Sequence, residues 1–325
     1  MSDPQDPKPG DTIPAAESTA DGRFKTLKLL RSVSSTPMRS LADAAAIHNN
    51  PAVIAAVAGK THKGQVRADN QDHFLVASLE RALLVEDSSL PAEAGTRLTD
   101  TPQGRLFIVA DGIGGHGGGE VASAVAVDAM AHYAFETMPW VLGRNDCSMD
   151  ELEDGLRDAM GKAQARIRRV ARRKNLNSDL GTTLTMGYVA WPEMFLVHVG
   201  DSRAYLYRDD KLHRLTRDHT LAQQLVDGNA MSEEEAKSSR LAHVLVNAMG
   251  GTSDDLDVEL HRVELKLDDQ LLFCSDGLYD MIGDSAIEAH LSESERPVSD
   301  VVELLVGAAN AAGGRDNVTV VLARF

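Results

Sequence analysis

Short apolar runs rich in β-branched and aromatic residues alternate along this chain with clusters of turn formers. The pattern predicts strands over Phe74 to Ser78, Arg105 to Ala110, Thr182 to Ala190, Met194 to Val199, Ala204 to Tyr207, Val258 to Leu265, Gln270 to Cys274 and Asn317 to Arg324. Several runs follow one another across connections too short for a helical crossover, as at Trp191-Pro192-Glu193 and Arg208-Asp209-Asp210-Lys211, so antiparallel meanders are expected rather than βαβ units. Helical spacing occurs in separate blocks. Ser148-Met149-Asp150-Glu151 reads as a capping box, and Leu152, Leu156, Ala159, Ala163, Ile167 and Val170 follow at three- or four-residue spacing, giving an amphipathic helix that ends in the cationic cluster Arg168 to Lys174. A second helix is expected from near Gly119 to about Glu136, and another from Pro297 to Ala311, stopping at Gly313-Gly314. Two further capping boxes, at Thr220 to Gln223 and Ser232 to Glu235, make residues 218–251 a small helical flap between strand regions. Residues 79–104 read as a loop insertion.

The first 22 residues are rich in Pro, Asp, Ser and Ala, carry no apolar period, and are expected to be disordered. From Arg23 to Arg39 there are five basic residues and no acid, interleaved with Ser32, Ser34, Ser35 and Thr36; this is a linker, or a docking segment whose charge phosphorylation would reverse. A short helix is expected near Leu41 to Ile47. Residues 1–56 are thus an N-terminal extension, and the folded domain covers 57–325. Net charge is −16, which argues against nucleic acid as the main partner. The extension is itself balanced, so the acidic excess belongs to the domain. Two cysteines are too few for a disulfide framework, and no uninterrupted apolar stretch is long enough to span a membrane, so a soluble, cytoplasmic protein is expected.

The candidate chemistry lies in five aspartates, each beside the end of an apolar run: Asp72, Asp111, Asp201, Asp276 and Asp316. Alone, such an aspartate is a turn former. Five at strand ends can converge on one rim, where mutual repulsion calls for hard divalent cations such as Mg²⁺ or Mn²⁺. A carboxylate bridging two such ions about 4 Å apart traps a water acidic enough to yield a hydroxide for attack on phosphorus. Asp111 suits the bridge, because Gly112 lets its own carbonyl approach a metal unobstructed. The glycine run from Gly114 to Gly119 lacks the spacing of a nucleotide cradle.

Seven motifs occur in order: Arg67-x-x-Asn70-Gln71-Asp72, Asp111-Gly112-Ile113-Gly114-Gly115-His116, Gly181-Thr182-Thr183, Val199-Gly200-Asp201-Ser202-Arg203, Thr216-Arg217-Asp218-His219, Ser275-Asp276-Gly277-Leu278 and Arg315-Asp316-Asn317-Val318-Thr319. The set resembles the metal-dependent type 2C Ser/Thr protein phosphatases, particularly their bacterial branch. The resemblance implies an α+β fold, a four-layer α-β-β-α sandwich of two antiparallel sheets flanked by helices. It further implies that Asp111 bridges two Mn²⁺ or Mg²⁺ ions with the Gly112 carbonyl on one. Asp276 and Asp316 would hold the other, Asp72 would act through water, and Asp201 with Asp276 would serve a weaker third ion. Arg67 matches the arginine that grips the substrate phosphate, and Arg203 and Asn317 would orient neighbouring aspartates.

Two departures stand out. Gln71 and Ile113 replace a metal-binding Glu and a proton-donating His of animal members, leaving the general acid unassigned; a metal-bound water or His116 is the candidate, while His219 reads as structural. The expected activity is hydrolysis of phosphoserine and phosphothreonine in proteins, countering a cognate Ser/Thr kinase. The alternatives are a catalytically degenerate phosphoprotein-binding regulator, prompted by Gln71 and Ile113, and a phosphatase dedicated to one regulatory protein.

Overall fold

Phe107 and Val109 face one side of their strand and Leu106 and Ile108 the other, yet all four are fully buried. Such a strand must be covered on both faces. In the computed structural model, which describes residues 56–80, 82–85, 96–99, 104–115, 117–137, 149–177, 179–251 and 256–325, the covers are a second sheet and a helical layer. One sheet runs in the order β13 (Glu259–Glu264), β9 (Glu193–Val199), β8 (Leu184–Ala190), β5 (Gly104–Ala110), β2 (His73–Leu79). The other runs β1 (Ala56–His62), β15 (Val318–Arg324), β14 (Gln270–Cys274), β10 (Arg203–Arg208), β11 (Lys211–Arg214), and both are antiparallel throughout. Helices α1 (Gly118–Glu136) and α2 (Met149–Arg173) cover the first sheet; α5 (Asp276–Leu291) and α6 (Val298–Ala311) cover the second.

The period-2 alternation therefore sorts side chains into three cores. Between the sheets lie Phe107, Val109, Leu196, Leu271, Phe273 and Val321, with the Phe107 and Phe273 rings stacked 5.7 Å apart. Beneath α1 and α2 lie Leu106, Ile108, Met130, Met160 and Ile167. Leu272, Ile287, Leu305, Val320 and Leu322 fill the third layer. The four-layer α-β-β-α architecture expected from the resemblance is what the chain adopts.

Several expectations need correction. Thr182 to Ala190 is not one strand. β7 (Gly181–Thr182) pairs with β6 (Gly112–Ile113) and β12 (Met249–Gly250) in a small third sheet, and β8 begins only at Leu184. The break is Thr183, whose N–H donates to the Asp111 carbonyl (2.9 Å) while its Oγ1 accepts from the Asp111 N–H (2.9 Å), taking it out of the ladder. The 79–104 insertion contains a short antiparallel pair, β3 (Ala82–Leu84) with β4 (Arg97–Thr99). Two edge strands, β1 and β11, carry few apolar residues and escaped the pattern, as did α5, which is interrupted by the non-helical Gly283. Residues 218–251 do form a flap of two short helices, α3 (Leu221–Asp227) and α4 (Glu233–Ser238), each capped by the expected Thr220 or Ser232 side chain, and a 3₁₀ turn at Arg240–His243. Residues 1–55 of the expected N-terminal extension, with its basic segment and the helix expected near Leu41 to Ile47, lie outside the described residues, while Ala56 opens β1.

Candidate active site

β5 ends at Ala110 where β2 begins at His73, and β14 ends at Cys274 where β10 begins at Arg203, so these strand ends come together. The five aspartates emerge at that one end of the sandwich. Asp111, Asp201, Asp276 and Asp316 line a single cleft of about 900 Å³, together with Arg67 and Gly112; Asp72 lies beneath it, almost fully buried. The structure thus brings together Arg67, Gly112 and the five aspartates, with Asp72 below the floor. His116 is outside the described residues. His219 is not a cleft residue: its N–H donates to the Gly200 carbonyl (2.7 Å) and its Nδ1 faces the Gly200 N–H (3.1 Å), so it braces the turn that carries Asp201.

Backbone approach is close throughout. A Cβ at residue 112 would lie 2.3 Å from the Gly119 carbonyl oxygen and 2.6 Å from that of Gln71, so only glycine fits where this strand meets α1. At residue 277 a Cβ would meet the Asn317 carbonyl oxygen at 1.9 Å, which locks the start of α5 against the Asp316 loop. Asn317 ties the same region together: its Oδ1 accepts from the Gln71 N–H, and its Nδ2 donates to the carbonyls of Lys63 and Asp69. Arg203 makes a bidentate pair with Asp218 (2.9 and 2.6 Å) and stacks 3.5 Å over Tyr279, whose hydroxyl donates to the Asp201 carbonyl. Both therefore fix loops that bear the aspartates.

The carboxylates repel one another. Burial, then the charges of Asp72, Asp276, Asp201 and Asp316, hold the Asp111 carboxyl well above the ordinary range. Burial followed by Asp201 and Asp280 does the same to Asp276. Burial, with Asp218 and Asp280, pushes Asp201 up to about 7. Asp72 rises to about 6 through burial, even though its Oδ2 accepts hydrogen bonds from Thr319 and Ser275, each 2.7 Å, that pull the other way. One oxygen of Asp72 and one of Asp276 are buried without any hydrogen-bond partner. Orphaned carboxylate oxygens beside a backbone carbonyl make a set of hard donors, and a divalent cation such as Mg²⁺ or Mn²⁺ fits that set.

Gln71 has a role of its own. Its side-chain Nε2 donates to the Gly114 carbonyl (2.9 Å), and its backbone carbonyl accepts from the Ser123 hydroxyl (2.6 Å), so it braces the glycine loop against α1. Ile113 lines the cleft. The sequence reading missed Asp280, one helical turn after Asp276; recognising α5 would have placed the two on one face by their i, i+4 spacing. It also missed Lys237, His243 and Leu245, which the flap brings to the cleft wall, with His243 3.3 Å from Asp280.

Residues 86–318 match the Protein phosphatase 2C family. The chain is 33% identical over 217 residues to the serine/threonine phosphatase stp of Listeria innocua, covering 67% of this chain and 83% of that one. A serine/threonine phosphatase structure from S. agalactiae superposes with TM-score 0.68 at 27% identity, covering 83% of this chain and 99% of the other. The catalytic domain of serine/threonine protein phosphatase PstP, in complex with two manganese ions, gives TM-score 0.61 at 30% identity over 83% and 97% of the two chains.

Proposed function

The chain belongs to the protein phosphatase 2C family, and we propose that its cleft removes phosphate from phosphoserine and phosphothreonine in proteins with the help of Mn²⁺ or Mg²⁺. The observation that carries this reading is the convergence of mutually repelling aspartates, two with unpartnered buried oxygens, beside an arginine. Two core ions would be held by Asp111 with the Gly112 carbonyl and by Asp276 with Asp316, and Asp72 would act through water. When bound, such ions supply Lewis acidity toward the phosphoryl oxygens and a nucleophile from water at neutral pH.

The chain's own residues do the rest. Arg67 Nη2 donates to Asp316 Oδ2 at 2.5 Å, which leaves the remainder of its planar fork to bind two phosphate oxygens and align the ester. Thr183, Ser275 and Thr319 hold Asp111 and Asp72 by hydrogen bonds, so the acidic floor is preorganised. A weaker third ion at Asp201 and Asp276 is supported by the Asp201 charge, which after burial is the foremost influence raising the Asp276 carboxyl. A binding-only protein finds no support at the site, because Gln71 is used structurally and the aspartates proposed as ligands line the cleft or lie beneath it.

The substrates proposed here imply a Ser/Thr kinase acting on the same proteins. Cytoplasmic residence is supported by the buried free thiol of Cys274, and no helix among the described residues is long and apolar enough to cross a membrane. The test is phosphate release from a phosphopeptide with Mn²⁺ and with EDTA. Losing an outer partner of a metal ligand costs about 10–100-fold, so Asp276→Ala should lower kcat/KM by more than that. Full activity in EDTA, or in this variant, would contradict the proposal.

A further inference from the structure

Among the described residues three cations, Arg67, Lys237 and Arg315, line the cleft, and they come from separate parts of the chain: the loop after β1, flap helix α4 and the loop before β15. Arg67 pairs with Asp316 through one nitrogen and is assigned above to the reacting phosphate. Lys237 and Arg315 are exposed, and neither forms an ion pair among the described residues. The acidic floor has its counter-charge in the proposed ions and in Arg67, so these two cations are not needed to hold one phosphoryl group. Both line the cleft and are exposed, one on the flap and one on the core, in a chain of net charge −16.

We infer that Lys237 and Arg315 select the substrate: phosphoproteins in which the reacting phosphoserine or phosphothreonine is flanked, within a few residues, by a further anion. The anion is a carboxylate or a second phosphoryl group. The inference rests on the phosphatase reading of the cleft and adds the class of sequence it prefers. Lys237 offers a point charge on a flexible stem, and Arg315 offers a fork that accepts either anion in two-point contact. Exposed pairs are individually weak, so together the two should give about three- to tenfold in kcat/KM, less at high salt, where a short Debye length screens exposed charges.

The experiment compares four phosphopeptides that differ only in flanking residues, namely Ala, Glu, a second phosphoserine, and Lys, using the full chain with Mn²⁺. Lower KM for either anionic flank is expected. Lys237→Glu with Arg315→Glu should turn the preference toward the Lys-flanked peptide. Both positions are exposed, and a thermal melt matching the unchanged protein verifies folding. Equal kcat/KM across the peptides, or an anionic preference that survives the double charge reversal, overturns the inference while leaving the phosphatase intact. Release from none of the peptides removes the phosphatase reading instead.

Discussion

A buried carboxylate that repels its neighbours lowers the stability of the chain that contains it. Asp72 and Asp201 titrate near 6 and 7 in the folded state against an ordinary 3.8. Their contribution to stability is therefore fully present below about 3.8 and is lost as pH rises through 6 and 7. His198 works the other way: burial, then His219, lowers it to about 4, so its contribution disappears as pH falls from 6.5 through that value. Metal-free protein should accordingly lose denaturant resistance between about pH 4 and 7, because the two carboxyls outweigh the single imidazole, and level off above that; a urea midpoint that is flat or rising from about pH 4 to 7 contradicts the prediction. For the same reason Asp111→Asn should raise the metal-free thermal midpoint at pH 7.5 by at least about 2 °C. The same variant should lose the stabilisation that Mn²⁺ gives the unchanged chain, as scanning calorimetry would show. These aspartates were legible in the sequence because a turn former beside Gly or Asn at the end of an apolar run is a local signal. Lys237 and His243 were not, because their approach to the cleft depends on how the whole flap folds across it.

At the scale of elements, Thr183 shows how one side chain decides a strand's partners. Its hydroxyl accepts from the Asp111 N–H and lies 2.7 Å from the Ser202 hydroxyl. Thr183→Val keeps the shape and leaves those groups unpaired, a loss of about 1–3 kcal/mol in unfolding free energy with a fall in kcat as Asp111 loosens. Unchanged stability and kcat in the valine variant would show that the β7–β8 break is held by other contacts. The central strands were readable because both faces are buried, which leaves continuous apolar runs such as Leu271-Leu272-Phe273-Cys274. Edge strands β1 and β11 were not, since an edge needs fewer apolar residues and theirs are mixed with Lys, His and Arg. Helix α5 was hidden by Gly277 and Gly283. The first is demanded by the 1.9 Å approach to Asn317, so a tertiary contact overrode the helical signal.

Across the whole molecule, two sheets share one middle core, and its stacked pair Phe107 and Phe273 joins them directly. Phe273→Ala should cost about 3–5 kcal/mol and unfold the chain as one unit; separate transitions of the two halves by circular dichroism and fluorescence would argue against that coupling. The sandwich could not be drawn from apolar spacing alone, which says which residues are buried but not which sheet covers which; the ordered motifs supplied that. The small β6–β7–β12 sheet reaches further than its size suggests. Met249 and Gly250, where the flap rejoins the core, pair with Thr182 and Gly181, and these in turn pair with Gly112 and Ile113 directly after Asp111. At its other root the flap is tied through His219 to Gly200, beside Asp201. Whatever grips the flap from outside therefore has a lever on the acidic floor, with both fulcrums set next to the aspartates themselves.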